Sequence, residues 1–226
     1  MKNLGSFLEL LTEERRNKLL EKVKKRTRFL TVVIEDVYQP HNASAILRTC
    51  DAFGIQDVYV IEKENKFQPN RGVSLGAEKW LNIHSSKNSQ EIYRTLKEKG
   101  YKITATVPPD KKYPYKALPE FKPKEKLALV FGSELEGLSK FWLEKADHYL
   151  TIPMYGFVES FNISVSVAII LYDLVHKLKN KKDFHLSPTE REETLIYWLK
   201  KDIKGFEKIE KLFKLKTQSA KRKTTA

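Results

Sequence analysis

Short apolar runs that alternate with helical patterns constrain the fold of this chain more than any other feature. Residues 29–35 are rich in β-branched side chains and too few for a buried helix, so they are expected to form a buried strand. A helix is expected at residues 42–54, ending at Gly54, and a second strand at residues 57–61. Strands joined through a helix normally run parallel. The pattern therefore predicts an α/β domain with a parallel sheet.

The alternation continues through most of the chain without a break in composition. Further strands are expected at residues 81–85, 102–107, 127–131 and 148–152. Further helices are expected at residues 89–99, capped by Ser89, and near residues 138–143. Residues 62–80 and 108–123 are polar or interrupted by proline, and they are expected to form long surface loops. A chain of 226 residues with this pattern is expected to form one α/β domain with shorter appendages.

Residues 151–173 combine the end of a strand, an irregular loop and a long apolar helix. Pro153 and Gly156 mark the loop, and the helix after Asn162 is apolar around most of its circumference. Such a helix is expected to be buried on more than one side. Ser160 and Asn162, the polar residues just before it, are explained equally well by capping of the helix and by a functional site.

Both ends of the chain are expected to be helical. A helix with an apolar stripe is expected at residues 6–26, with an acidic start at Thr12. Ser187 begins the pattern of a capping box, with proline at the first helical position. A final amphipathic helix is expected after Gly205. Residues 216–226 have almost no apolar side chains and are expected to be disordered.

Positive charge is concentrated at these two ends. The chain has a net charge of +13, from 42 Lys and Arg against 29 Asp and Glu. Residues 1–28 contain nine basic and four acidic side chains, a net of +5, and residues 200–226 contain ten and three, a net of +7. A net of only +1 is left for the residues between them. Because the excess is confined to the ends, binding of a nucleic acid is favoured over a merely solvated lysine-rich face.

Composition and spacing exclude several classes of protein. Cys50 is the single cysteine, so an internal disulfide and a cysteine zinc site are excluded, and a reducing, cytoplasmic setting is expected. No apolar run reaches about 18 residues, and Glu9 interrupts the first run too early for a signal peptide, so no membrane segment is expected. Residues 132–137 have the glycine spacing of a P-loop, but Leu138 and Ser139 follow where lysine and Ser or Thr are required. The Gly-x-Gly-x-x-Gly fingerprint of dinucleotide binding is also absent.

Three segments, in this order along the chain, resemble the three motifs of the SPOUT superfamily. They begin at Asn42 (Asn-Ala-Ser-Ala-Ile-Leu-Arg), at Phe131 (Phe-Gly-Ser-Glu-Leu-Glu-Gly-Leu-Ser) and at Ile152 (Ile-Pro, followed later by Asn-Ile-Ser-Val-Ser-Val). Within the superfamily they resemble the TrmH-type (SpoU) RNA ribose 2′-O-methyltransferases. A fourth segment, Gly76-Ala-Glu-Lys-Trp80, is similar to a stretch typical of the tRNA-modifying branch.

The resemblance implies a fold and an assembly. It implies a SPOUT-type α/β knot, which is a mostly parallel sheet with a deep trefoil knot formed near residues 130–180, and it implies a homodimer. The expected division is a basic helical extension at residues 1–28, a methyltransferase domain at 29–182, a C-terminal helical extension at 183–215 and a basic tail at 216–226. True knots are rare among protein folds, so the knot is expected from the resemblance alone.

The resemblance also implies catalytic residues. The matching positions are Arg48, Asn42, Glu134, Ser160 and Asn162. Arg48 would hold the phosphate beside the reacting ribose and stabilise developing negative charge, or it would act as a base after activation by a phosphate, as is proposed for the family. Glu134 would orient either Arg48 or its own loop. Ser160 and Asn162 would place the substrate phosphate and support the site. Asn42 would also support the site, although an isolated asparagine at this position is explained by helix capping.

S-adenosylmethionine is the cofactor that the resemblance implies, and no metal is expected. The matching positions are Thr106, Gly132, Ile152 and Phe161, in loops that follow strands. Backbone groups there would contact adenine and ribose between apolar walls. Ile152 and Phe161 are equally explained as core residues.

The implied reaction is methylation of a ribose 2′-hydroxyl in RNA. Helical extensions at both ends resemble those of the family's tRNA enzymes that modify guanosine 18 in the D-loop, so this nucleotide is the expected target. Ribosomal RNA, another tRNA nucleotide and a non-catalytic RNA-binding role are the alternatives. His41, His84 and His148 match no family position and are expected to be structural.

Overall fold

The computed structural model describes residues 4–109 and 112–212. The chain forms two compact units: Met1–Lys25 together with Leu186–Ala226, and Arg26–His185. The second unit contains the sheet, and its described residues include seven strands. These strands are β1 (Leu30–Glu35), β2 (Asp57–Ile61), β3 (Asn82–Ser86), β4 (Lys102–Thr106), β5 (Lys116–Ala117), β6 (Leu127–Phe131) and β7 (His148–Thr151).

Each strand pair in the described sheet is parallel, as the strand–helix–strand pattern predicts. The strand order is β3-β2-β1-β6-β4-β7-β5, which places β1 and β6 at the centre. Val33 in β1 lies opposite Tyr59 in β2 and Val130 in β6. Because the strands are parallel, the loops that follow β1, β2, β4, β6 and β7 all leave the same edge of the sheet. The trefoil knot is not defined by this strand order and stays a prediction.

Helices cover both faces of the sheet. In the sheet-containing unit the helices are α3 (Pro40–Ala52), α4 (Arg71–Ser74), α5 (Ser89–Glu98), α6 (Lys140–Lys145) and α7 (Ile163–Leu178). Helices α1 (Leu4–Glu9), α2 (Glu13–Lys24) and α8 (Pro188–Asp202) belong to the other unit. One core cluster packs α3 and α7 against inward-facing strand residues such as Val32 and Ile34. The other packs α5 and α6 against the opposite face, where Val33 lies. This alternation follows from the two-residue side-chain period of a strand.

The first unit joins helices from both ends of the chain. Phe7 in α1 stacks on Phe206, with ring centroids 4.2 Å apart. Arg15 in α2 forms two hydrogen bonds with Asp202 at the end of α8, of 3.0 Å from Nε and 2.9 Å from Nη2. Ser187 and Glu190 form the predicted capping box at the start of α8. The predicted disordered segment at residues 216–226 lies outside the described residues.

Several predicted boundaries were wrong, each for a local reason. The helix expected at residues 6–26 is two helices, because Thr12 caps α2 by accepting a hydrogen bond from the Arg15 backbone N–H. Helix α3 begins at Pro40 rather than Asn42, since proline suits the first helical position. Asn88, not Ser89, caps α5. The loops expected at 62–80 and 108–123 contain short elements, including α4 and β5.

No helix in the described part of the chain is long and apolar enough to cross a membrane.

Candidate active site

The loop after β6 has a closed shape that glycine makes possible. Ser133 and Gly137 exchange two backbone hydrogen bonds of 3.1 Å, and Gly137 has a φ of +67°. A Cβ on Gly132 would lie 2.0 Å from the Gly137 carbonyl carbon and 2.2 Å from the Leu138 nitrogen. No side chain fits at that distance, so the loop requires glycine at residue 132. The cofactor-binding position expected at Gly132 therefore lies at a tight backbone crossing.

Three of the predicted catalytic residues form one hydrogen-bonded chain. Asn42 Nδ2 donates to Glu134 Oε1 at 2.6 Å, and Asn162 Nδ2 donates to Asn42 Oδ1 at 3.1 Å. Asn42 is buried in the first turn of α3, Glu134 lies in the loop after β6, and Asn162 caps α7. The amide of Asn42 serves as donor on one side and acceptor on the other, a combination that Asp or Glu at this position would not provide when ionised.

Asn162 both caps a helix and bonds to Asn42. Its Oδ1 accepts from the Ser164 backbone N–H at 2.9 Å and so caps α7. Its amide nitrogen remains available for Asn42. Ser160, in contrast, is exposed and makes no hydrogen bond within residues 4–109 and 112–212, so capping does not explain it.

The guanidinium of Arg48 has no partner among the described residues. It lies near the middle of α3, its side chain is exposed, and it forms no hydrogen bond or ion pair with the described residues. Glu134 bonds to Asn42 and to the backbone N–H of Tyr38, at 3.3 Å, rather than to Arg48. Of the two roles expected for Glu134, the structure shows contacts that orient its own loop. Arg48 is available to an external anion.

The expected cofactor positions lie at one edge of the sheet. Thr106, Gly132 and Ile152 lie at or just after the ends of β4, β6 and β7, which are adjacent in the order β6-β4-β7. Thr106 Oγ1 donates to the Val130 carbonyl at 2.9 Å and ties β4 to β6. Ile152 packs against the larger core cluster, as a core residue would, whereas Phe161 is 39% exposed.

A buried polar atom at the same edge lacks an internal partner. Thr151 Oγ1, at the end of β7, has no hydrogen-bond partner in the described part of the chain. Buried hydroxyls are nearly always satisfied. In the described residues Thr151 shares the unpaired state with Ser89, Thr104 and Thr194, and it is the one of the four that directly precedes Ile152. An exposed aromatic ring, backbone groups and a hydroxyl are the kinds of group that a ligand with both apolar and polar parts, such as S-adenosylmethionine, requires.

The three histidines differ from one another. His84 Nε2 lies 2.8 Å from Asp57 Oδ1, and its ring stacks on Tyr59, so it is structural. His148 Nε2 lies 3.1 Å from Glu125 Oε1, a structural pair as well. For His41 the prediction of a structural role was wrong: its side chain is exposed next to Asn42 and has no hydrogen-bond partner among the described residues.

Cys50 is not a candidate nucleophile. It lies in α3, is fully buried, and burial raises the pKa of its thiol to about 12. The described residues contain no group of His, Cys, Asp and Glu side chains that could hold a metal ion.

Three basic residues near the N-terminus are used within the fold. Arg26 is buried and bonds to Gln56, Asp51 and the Trp80 carbonyl. Arg28 pairs with Asp57 at 2.7 Å, and Arg15 pairs with Asp202. The charge count of residues 1–28 therefore overstates the number of cations available to an external polyanion. The exposed lysines of α2 are better candidates for phosphate contacts.

Comparison with known proteins agrees with this geometry. The model of the SpoU rRNA Methylase family matches residues 29–172, which include β1 to β7 and all nine expected site residues. The chain belongs to the SpoU methylase family. The resemblance of the three motifs to this family is thereby confirmed.

Relatives within the SpoU family match nearly the full chain. A tRNA (guanosine(18)-2′-O)-methyltransferase of Borreliella burgdorferi is 38% identical over 94% of this chain and 96% of its own length. A protein of the same name from Thermus thermophilus is 34% identical over 84% of this chain and 98% of its own.

Solved structures of the family share the fold. The crystal structure of the TrmH/SpoU tRNA modifying enzyme of Aquifex aeolicus has a TM-score of 0.75 and 33% identity, over 84% of this chain and 98% of its own. The SpoU methyltransferase AviRb of Streptomyces viridochromogenes, solved with AdoMet, has a TM-score of 0.59 and 21% identity over 72% of this chain and 65% of its own, which shows the fold alone.

Proposed function

We propose that this protein transfers a methyl group from S-adenosylmethionine to the ribose 2′-hydroxyl of guanosine 18 in the D-loop of tRNA. Membership of the SpoU family supports RNA 2′-O-methylation. The names of the Borreliella and Thermus relatives support guanosine 18. The observations that carry the proposal are the Glu134–Asn42–Asn162 chain and an exposed Arg48, which lies on the same helix as Asn42 and is unpaired within the described residues.

S-adenosylmethionine, when bound at Thr106, Gly132, Ile152 and Phe161, supplies a methyl group whose leaving group departs neutral, so no acid is needed. The protein must align the ribose oxygen and stabilise its developing negative charge. Arg48 is suited to both tasks because a guanidinium is a permanent cation with a planar set of donors. Action as a base would require a neutral guanidine, which is costly for a group with a pKa above about 12. Arg48 therefore at least orients the phosphate and stabilises charge. The hydroxyl proton released on methyl transfer passes either to water or to Arg48 itself, if the substrate phosphate activates it as a base.

The asparagine chain holds the parts of the site in place. Glu134, Asn42 and Asn162 connect the loop after β6, the start of α3 and the start of α7. Arg48 is carried by α3, and Ser160 lies two residues before Asn162. Fixing these elements to one another fixes the distance between Arg48 and the substrate phosphate that Ser160 contacts.

A homodimer is part of the proposal. An exposed apolar stretch, defined as Tyr155, Phe157, Val158, Phe161, Val165 and Tyr172, runs from the loop after β7 onto α7. Large exposed apolar surfaces mark interaction sites in soluble proteins. Val165 and Tyr172 are seven residues apart and so lie on the same face of α7. A second copy of this chain covers that face, and the protein acts in the cytoplasm.

The test is methyl transfer from labelled S-adenosylmethionine to unmodified tRNA transcripts. A transcript with an ordinary guanosine 18 is compared with one whose guanosine 18 already has a 2′-O-methyl group. Label that enters only the first transcript supports both reaction and target. Equal labelling of both would contradict the target but keep the reaction, and ribosomal RNA would then be tested in the same way.

The variant Arg48→Ala separates an enzyme from a non-catalytic RNA-binding protein of the same fold. We expect a loss of about 100-fold or more in kcat, because one preorganised charge-stabilising group is removed. Binding of S-adenosylmethionine, measured by calorimetry, should not change. Full methylation by the variant would contradict a role for Arg48 in the reaction. Absence of labelling in the unaltered protein, with tRNA binding intact, would favour the non-catalytic alternative.

A further inference from the structure

A buried carboxylate at the carboxyl end of the central strand has no role in the site described above. Glu35 is the last residue of β1 and is 3% exposed. In the sheet it lies beside Ile61, the last residue of β2, and the residue before it lies beside Phe131, the last residue of β6. Glu35 is therefore placed where the loops after β2 and β6 leave the sheet.

The hydrogen bonds of Glu35 reach both of these loops. Its Oε1 accepts from Lys63 Nζ at 2.6 Å and from Ser139 Oγ at 2.7 Å, and its Oε2 accepts from the Ser139 backbone N–H at 2.8 Å. A buried carboxylate is costly unless it is paired and hydrogen-bonded. Lys63, in the loop after β2, supplies the positive charge. Ser139, after the loop that follows β6, supplies two further donors.

Ser139 makes this contact instead of capping its own helix. It occupies the N-cap position of α6, where a serine side chain ordinarily accepts from a backbone N–H of the first turn. No such bond is formed by Ser139. Its hydroxyl and its backbone N–H both donate to Glu35. Ser139 thus binds Glu35 and does not cap α6 with its side chain.

The segment that Glu35 holds carries two groups of the proposed site. It starts at Gly132, is tied across by the Ser133–Gly137 hydrogen bonds and ends at Ser139. Near its tip, Glu134 bonds to Asn42. The loop is therefore attached at the tip through Glu134 and at its far end through Glu35. Without the Glu35–Ser139 contact, the loop would keep only the Glu134–Asn42 hydrogen bond of these two attachments.

We propose that Glu35 is a positioning residue for S-adenosylmethionine binding. With Lys63 and Ser139 it fixes the Gly132–Gly137 loop in the conformation that receives the cofactor, and it acts through that loop without touching substrate. This inference rests on the proposed function, since it assigns a role in the same site.

The main test is Glu35→Gln, which keeps the shape of the side chain but replaces one acceptor oxygen and removes the charge. We expect the dissociation constant for S-adenosylmethionine, measured by calorimetry, to rise about tenfold or more, because hydrogen bonds to a charged acceptor are lost. Without cofactor, amide hydrogen exchange in residues 133–139 should accelerate. In methyl transfer, KM for the cofactor should rise more than KM for tRNA.

Asp57→Asn is a matched control at the other end of the strands, where their amino ends lie. Asp57 is also a buried, ion-paired carboxylate, but it is the first residue of β2 and pairs with Arg28. Its loss should lower the melting temperature and leave the affinity for S-adenosylmethionine within about twofold. A general effect of losing a buried charge is thereby separated from an effect on the loop.

Ser139→Ala tests the same contact from the other side. It removes one donor to Glu35 and keeps the backbone N–H, so a rise of about threefold in the cofactor dissociation constant is expected. In the double variant Glu35→Gln/Ser139→Ala, the effect should be smaller than the product of the two single effects, because both changes remove the same contact.

The outcomes separate this inference from the proposed function. If the unaltered protein binds no S-adenosylmethionine, both are wrong. If it binds the cofactor and the folded Glu35→Gln variant binds equally well, with unchanged exchange at residues 133–139, the role of Glu35 alone is wrong. If Glu35→Gln does not fold, Ser139→Ala decides, and unaltered binding by that variant overturns the inference.

Discussion

Asn42 joins two segments that are distant in the sequence. Its side chain is 3% exposed and lies between Glu134 and Asn162, 92 and 120 residues further along the chain. A neutral amide can donate to the carboxylate on one side and accept from an amide on the other. The site therefore depends on the chemical type of this residue and on its ability to present both groups at once.

The variant Asn42→Asp should show this dependence. It would place a second carboxylate within hydrogen-bonding distance of Glu134, and two such groups cannot both ionise without cost. We expect a loss of about 1–3 kcal/mol in the free energy of unfolding at pH 8 and a smaller loss near pH 5, where one group takes up a proton. Thermal unfolding at the two pH values measures the difference.

The exposed Asn180 provides the control for this variant. Asn180→Asp adds the same charge outside the site and should change stability little at either pH. An Asn42→Asp protein that is equally destabilised at pH 5 and pH 8 would contradict the argument from carboxylate repulsion.

Asp57 contributes to the stability of the fold, and this contribution is lost in acid. Burial opposes its ionisation, but the hydrogen bond from His84 and the charge and hydrogen bond of Arg28 outweigh it, and they lower the pKa of Asp57 from 3.8 to about 2. A carboxyl with a lowered pKa stabilises the fold above its unfolded pKa, and this contribution is lost as pH falls through the folded pKa. The contribution, of about 2 kcal/mol at neutral pH, should disappear between about pH 4 and pH 2.

Asp57→Asn should remove this part of the acid dependence. Urea unfolding at pH values from 7 to 2 measures this. The free energy of unfolding of the variant should be lower at pH 7 and should change less between about pH 4 and pH 2 than that of the unaltered protein. Parallel curves for the two proteins would show that other carboxyl groups govern the loss of stability in acid.

The strands and most helices could be predicted because their signals are local. Residues 127–131 form a continuous apolar run, and β6 occupies those residues. The capping box at Ser187 was also predicted, since it depends on a few neighbouring residues, and of the two caps that the sequence left open, Ser160 and Asn162, the structure has Asn162. The break between α1 and α2 was not predicted, because the apolar stripe of the expected helix includes Leu8 and Leu11 before the break and Leu19 after it.

Contacts between distant segments could not be derived from spacing. The strand order β3-β2-β1-β6-β4-β7-β5 depends on how the crossovers pack, which no single segment encodes. The sequence suggested Asn42 as a cap, but its partners come from Glu134 and Asn162. Glu35 was included in a predicted strand without a function, because a single carboxylate at a strand end gives no sign that Ser139 will reach it.

Helix α7 presents an apolar face that the sheet does not use. Its inward residues, such as Val167 and Leu171, are fully buried, whereas Val165 and Tyr172 are 43% and 59% exposed. If a second copy covers this face, the variant Val165→Glu/Tyr172→Glu should be monomeric, because burying two unpaired carboxylates in an interface is strongly unfavourable. Light scattering coupled to size-exclusion chromatography measures the mass.

Leu10→Glu is the control for this variant. Leu10 is also an exposed apolar side chain, but it belongs to the unit that contains the chain ends. The control should keep the mass of the unaltered protein. A monomeric mass for the unaltered protein itself would contradict the proposed homodimer.

The distribution of charge over the two units predicts how RNA binding responds to salt. Lys18 and Lys24 in α2 are exposed and have no partner within the described residues. If each contacts a phosphate, Lys18→Gln/Lys24→Gln should weaken tRNA binding and lower the slope of log affinity against log salt by about 1.5 to 2. Filter binding across a salt series measures the slope.

The same neutral substitutions in the sheet-containing unit provide the comparison. Lys122 and Lys145 are exposed there, and Lys122→Gln/Lys145→Gln should leave the slope nearly unchanged. Equal changes in slope for the two pairs would show that RNA is attracted by net charge rather than by α2.

The pairing of α1 and α2 with residues from the other end of the chain has a consequence for synthesis on the ribosome. The stacking of Phe7 on Phe206 and the Arg15–Asp202 contact both require segments that emerge after the whole sheet has been made. Residues 26–185 can therefore close their core while α2 still lacks its partner α8. A nascent chain released before α8 is made would therefore expose to solvent the apolar face of α2 that includes Leu19 and Val23.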